Sequence, residues 1–172
     1  MSRLKKKSIK QGLASMKIWQ LVLGLFLVVG FSVVFVLAVS GIFNGRVAVV
    51  DPEYRCTDCD GEYMELSLSG YEDLIKDKKS FVVFVDQGGC TTADRLREYM
   101  AEYAKSAGIK VYRMMYEDVK KSSLHDYVKF YPSVAVISRG EVIKWLRADS
   151  DEDAPSYNEY EAFKTWMQRY LK

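Results

Sequence analysis

Histidine appears once in 172 residues, at His125, and cysteine and proline appear three times each. That scarcity weighs against several chemistries. A structural zinc site takes four Cys or His ligands, usually as two closely spaced pairs. Cys56 and Cys59 make one C-x-x-C pair and no second follows, so zinc would have to recruit Cys90 and His125 from elsewhere in the chain. His125 falls in a charged stretch, where an ordinary surface residue is expected, and neither a metal nor a cofactor is called for. The acidic run Asp149–Asp153 resembles the start of a calcium loop. However, Ala154 stands where that loop needs glycine and Tyr160 where it needs glutamate, so a solvated loop before a helix is expected.

Acid is missing altogether before residue 44. Of the 25 Lys and Arg residues, six (Arg3, Lys5, Lys6, Lys7, Lys10, Lys17) lie there, leaving 19 against all 23 Asp and Glu, so residues 44–172 sum to −4. A nucleic-acid binder carries its basic patch on the folded part, so this layout argues against that class. No internal repeat or low-complexity segment is present.

Charge of either sign is absent from Ile18 to Phe43, "IWQLVLGLFLVVGFSVVFVLAVSGIF", a run of 26 residues. A helix needs roughly 20 such residues to cross a bilayer core. The preceding lysines predict a cytoplasmic N-terminus, with Trp19 and Phe43 at the interfaces. The chain then divides into a cytoplasmic basic tail (1–17), a transmembrane helix (18–43), a juxtamembrane extension (44–65) and a globular domain (66–172) outside the membrane. A cleaved signal peptide is the competing reading, with Ala38 and Ser40 near a cleavage point; signal cores usually span about 7–15 residues, shorter than this run. A buried core helix fits poorly, because the segment is apolar on every face.

Outside the cytosol disulfides persist, and three cysteines are an odd number, so one thiol is left over if two pair. The extension is turn-rich, with Pro52 and Gly61 around "CTDC", and Arg46–Val50 suggests a short strand. Ser69 with Glu72 is a capping box that predicts a short helix from near Gly70. "FVVFV" (Phe81–Val85) is continuous and apolar, as in a strand buried on both faces. After Cys90, apolar residues recur at Ala93, Leu96, Met100, Tyr103 and Ala107 with helical spacing, and Gly108 closes the helix. Ile109–Tyr116 alternates as a strand does, completing a parallel crossover. A short helix is expected near residues 122–131, capped by Ser122 or Ser123. "YPSVAVISRGEVIKWL" reads as a hairpin turning at Arg139-Gly140. Ser156 with Glu159 predicts the cap of a last helix, with Tyr160, Phe163, Met167, Tyr170 and Leu171 on one stripe.

This order resembles the thioredoxin fold over residues 66–172. "FVVFVDQGGCTTA" is similar to the family's junction between strand and active site. "FYPSVAVISRGEVIKWL" is similar to its cis-proline loop and hairpin, with Pro132 in the key place. The resemblance implies an α/β domain, a central mixed sheet flanked by helices, behind an N-terminal transmembrane helix. Among such proteins it is similar to bacterial thioredoxin-like proteins held by one N-terminal span, of the bacteriocin-transport accessory type. It further implies that Cys90 is the nucleophile and that Pro132, in cis, lies beside it, where backbone groups meet a substrate peptide. The family's C-x-x-C is broken, since "CTTA" puts Ala93 in the resolving position and Gly89 replaces the usual tryptophan.

A cysteine at a helix start sits near the positive end of the helix dipole. Beside structural zinc binding through the three cysteines and His125, two function classes remain open. One is thiol-disulfide exchange through Cys90 alone, with protein thiols or disulfides as partners. In that case Cys56 or Cys59 would either resolve the adduct or simply pair with each other. The other is a non-catalytic thioredoxin-fold accessory module that binds a membrane or secretion partner, with Cys90 an inert, small apolar residue. Asp86, at the end of the strand before Cys90, would serve as an acid/base or only cap the strand.

Overall fold

The apolar run found in the sequence becomes β2 (Phe81–Asp86), and all six of its residues are buried. The computed structural model describes residues 46–172; the tail 1–17 and the hydrophobic run 18–43 lie outside the described residues. Among the described residues, no helix is long and apolar enough to cross a membrane.

β2 occupies the centre of a five-stranded sheet in the order β1-β3-β2-β4-β5. The others are β1 (Tyr63–Glu65), β3 (Val111–Met115), β4 (Ser133–Ser138) and β5 (Glu141–Trp145). β1, β3 and β2 run parallel, while β4 is antiparallel to both β2 and β5. The sheet therefore has two unlike ends. At the upper end β2 and β3 finish and β4 begins; at the lower end β2 begins and β4 turns into β5.

Alternation along β2 assigns its faces. Phe81 meets Tyr71 of α1 (Leu68–Lys76) and Tyr112 of β3, edge to face. Phe84 and Asp86 face the other way, toward Tyr63 and toward Arg97 of α2 (Thr91–Ala107). The last helix lies on the α2 side: Phe163 of α5 (Tyr160–Tyr170) packs against Tyr99 and Tyr103 of α2. Both faces are thus covered, and each large side chain buried there contributes about 1.5–3 kcal/mol.

Several local expectations change in three dimensions. Ser67, not Ser69, caps α1, accepting from the Gly70 N–H at 3.2 Å. Ser156 caps nothing: it is buried inside α4 (Ala154–Asn158), and extended Glu159 separates α4 from α5. A one-turn helix α3 (Tyr116–Val119) follows β3, and the next segment is a 3-10 turn, Ser123–Asp126, capped by Ser122.

The largest change concerns residues 46–65, which pack as part of the same unit as the rest of the domain. Ala48 and Val50 are buried while Val47 and Val49 are exposed. Ala48 bridges to Leu171, and its N–H donates to the Tyr170 carbonyl at 2.8 Å. β1 then pairs with β3 in register, Tyr63 opposite Val111. Turn-rich composition masks these contacts because a three-residue edge strand carries too few side chains to show alternation.

Candidate functional site

The upper end of the sheet gathers the residues singled out around Cys90. After Asp86 the chain passes through Gln87, Gly88 and Gly89 into α2, whose N-cap is Cys90. Gly89 has φ +83°, a left-handed conformation that glycine adopts without penalty. No atom lies within 4 Å of where a side-chain carbon at Gly88 or Gly89 would sit, so this loop borders open space. Cys90 is half-buried and is the free cysteine of the described residues. Its backbone carbonyl starts the helix by accepting from the Asp94 N–H at 3.0 Å, and its side chain makes no capping bond. Cys90 therefore precedes first-turn N–H groups that have no partner within the helix and that its side chain does not cap. Ala93, in the position of a second family cysteine, is completely buried.

Pro132 reaches the same end. The Tyr131–Pro132 peptide bond is cis. Ser133, the next residue, pairs with Val85, so the start of β4 lies alongside the end of β2 from which the Cys90 loop departs. Pro132 is fixed from behind by Tyr157 of α4, whose hydroxyl shares its one proton between the Pro132 carbonyl at 3.0 Å and the Leu146 carbonyl at 3.1 Å. Burial holds the Tyr157 hydroxyl protonated well above the ordinary tyrosine range. The sequence did not mark this residue, because its role depends on two carbonyls distant along the chain.

Exposed apolar side chains border this end. Phe130 and Tyr131 precede Pro132, Met115 ends β3 opposite Asp86, and all three are solvent-accessible. Tyr131 packs against Tyr116 in a tilted arrangement, with ring centroids 4.8 Å apart.

Asp86 is buried beneath the site and is fully engaged. Its two carboxylate oxygens accept from Arg97 at 2.9–3.2 Å, and Arg113 lies 3.8 Å away. Arg97 also binds Asp94, and Arg113 binds Glu65. The Asp86 hydrogen bonds, ahead of the other influences, raise the Arg97 guanidinium above its usual range. These ion pairs meet at Asp86 and tie β2, β3 and α2 together.

Cys56 and Cys59 are joined in a disulfide, with Cα atoms 5.6 Å apart. The Cys56 N–H donates to the Gly108 carbonyl at 3.0 Å, just past the C-terminus of α2. Cys90 sits at the opposite terminus of that helix, whose 17 residues span about 25 Å. Of the two roles expected for Cys56 and Cys59, resolving a Cys90 adduct or pairing with each other, the structure shows the pair, at the far terminus of α2 from Cys90. Two glycines pin the disulfide loop to α2. A side-chain carbon at Gly61 would lie 2.8 Å from the Ala101 carbonyl oxygen, and one at Gly108 2.8 Å from that of Cys56.

Among the described residues, no three His, Cys, Asp or Glu side chains gather as a metal site would. His125 directs Nδ1 at the Val128 carbonyl, 3.2 Å away. Within the acidic run, Asp153 is buried and accepts from the Arg147 N–H at 2.9 Å, closing a turn.

Sheet order, covered faces and a cysteine-bearing helix start beside a cis-proline strand define a thioredoxin-fold protein. No protein-family model matches the sequence, and no curated protein matches it. Among solved structures, a mutant thioredoxin from Halobacterium salinarum NRC-1 is similar with a TM-score of 0.51 at 13% identity, over 67% of this chain and 96% of that one. The oxidised thioredoxin of Plasmodium falciparum gives 0.48 at 14% identity, over 63% and 97%. At such identities the likeness is one of fold, and the first comparison carries it.

Proposed function

We propose that the protein is a membrane-anchored, extracytoplasmic thiol-disulfide exchange protein that works through Cys90 alone. The supporting observation is the half-buried Cys90 sulfur at the N-cap of α2, free of any capping bond, at the sheet end where Pro132 begins β4. The Halobacterium salinarum protein of like fold is a thioredoxin, and the hydrophobic run 18–43 supports the anchor. The bacteriocin-transport accessory type is the finer form of this reading.

The chemistry follows from having one thiol. The Cys90 thiolate attacks one sulfur of a substrate disulfide. A Cys90–substrate disulfide forms, the substrate's own S–S bond breaks, and its second sulfur leaves as a thiolate that takes up a proton from water. One disulfide replaces another and nothing is oxidised or reduced overall. With Ala93 in the resolving position, release requires either the freed substrate thiol, which gives isomerisation, or an external thiol, which gives exchange.

The test is trapping. The full-length protein, mixed with a disulfide-bonded polypeptide and then alkylated, is expected to yield a mixed disulfide visible on a non-reducing gel, and Cys90→Ser none. Equal trapping by wild type and Cys90→Ser sinks the enzyme reading. A binding module is the second reading, favoured by the exposed Phe130, Tyr131 and Met115 beside a site whose resolving position is a buried alanine. It expects co-purifying partners that persist in Cys90→Ser and in reducing agent.

A further inference from the structure

The lower end of the sheet, opposite Cys90, carries a cleft of about 890 Å³. Four cations line it, Arg46, Arg55, Lys78 and Arg139, against two acids, Asp51 and Glu141. Arg46 pairs with Glu141 at 2.9 Å, and Asp51 is committed to the Ser80 N–H. The cleft thus carries a positive balance on a unit whose sequence from residue 44 sums to −4. Its apolar lining includes the exposed Val47 and Val49.

Two of the cations occupy unusual backbone. Lys78 has φ +54° and Arg139 φ +52°, where glycine is the unstrained residue. Their turns pack together: the Gly140 N–H donates to the Lys79 carbonyl at 2.9 Å, and the Arg139 N–H to Ser80 Oγ at 3.0 Å. Each turn therefore holds a long cation in a conformation that disfavours any side chain.

Chain position gives the cleft its setting. Arg46 lies three residues beyond Phe43, the last residue of the hydrophobic run, which is a reach of at most about 11 Å. We infer that this cleft docks on the phosphates of anionic phospholipid headgroups, with Val47 and Val49 against the interfacial region. The inference rests on the anchor reading above. Docked so, the domain presents its upper end, with Cys90, away from the bilayer by at least the length of β2, about 20 Å. Disulfides in solution-exposed polypeptides would then be its partners, rather than those within the membrane.

Amide hydrogen exchange on the full-length protein in lipid nanodiscs tests this. Peptides covering 46–55, 78–80 and 138–143 are expected to exchange several-fold more slowly in discs containing phosphatidylglycerol than in pure phosphatidylcholine. Raised salt should erase the difference, because surface charges are screened. Lys78→Gly with Arg139→Gly removes both cations while suiting the backbone, and is expected to abolish the protection with thermal stability kept. Equal exchange in the two lipids overturns the docking. Equal protection by inorganic phosphate in phosphatidylcholine discs also overturns it, marking a soluble-anion site instead. A chain that fails to stay in any disc refutes the anchor and this inference together, whereas a retained chain without lipid-dependent protection refutes the docking alone.

Discussion

Cys90 takes an N-cap position usually held by Ser, Thr, Asp or Asn, whose oxygen would accept from the first-turn N–H groups. Sulfur is a weak acceptor, and the Cys90 side chain leaves those N–H groups without a capping bond. Tyr157 shows the opposite case, a hydroxyl committed to two carbonyls. Tyr157→Phe leaves the Pro132 carbonyl without that donor and is expected to destabilise the domain by about 1–2 kcal/mol, read as a lower denaturant midpoint with an unchanged slope. Its pH dependence has a definite sign. Burial raises the folded-state pKa above the unfolded one, so the contribution is complete below about pH 10 and is lost as pH rises beyond it. Tyr63, also raised by burial, adds to the same alkaline loss. Above pH 10 the melting temperature of Tyr157→Phe should therefore fall less steeply than that of wild type. A steeper fall would contradict this account.

Among elements, α2 is the scaffold that both supports and separates the cysteines. Asp86→Asn would loosen its tie to β2 and β3 by removing the bidentate partner of Arg97. Because Arg97 is 30% exposed, a loss of about 1–3 kcal/mol is expected, below the figure for a fully buried pair. The glycines around α2 should rank by what their backbone meets. Gly88→Ala is expected to be near neutral, and Gly89→Ala to cost about 1 kcal/mol from its positive φ alone. Gly108→Ala adds a 2.8 Å clash with the Cys56 carbonyl and should destabilise most. Chemical denaturation of the three variants checks the order.

For the whole molecule, the disulfide and the free thiol at opposite ends of one helix make two independent centres. Replacing Cys56 and Cys59 together by serine should leave Cys90 trapping unchanged in mass-spectrometric counts of adduct. Stability should drop by about 2 kcal/mol, the loop entropy of so short a ring. Loss of trapping in that variant would restore the relay and require the extension to reach the upper end.

The amino-acid sequence by itself determined the parts governed by local pattern. The central strand follows from five consecutive apolar residues, α2 from 3.6-residue spacing closed by Gly108, and the hairpin from two apolar runs around Arg139-Gly140. The place of Cys90 and Pro132 in the candidate site was also legible, because each abuts such an element. Only the tertiary structure decided the matters that depend on pairing across distance. It drew β1 and Ala48 into the domain, since edge-strand hydrogen bonds leave almost no trace in composition. It also engaged Asp86 with Arg97, put Tyr157 behind Pro132, and set Cys56 and Cys59 a helix length from Cys90. A linear pattern records which side chains are apolar and how often; it does not record which groups from remote segments share one hydrogen bond.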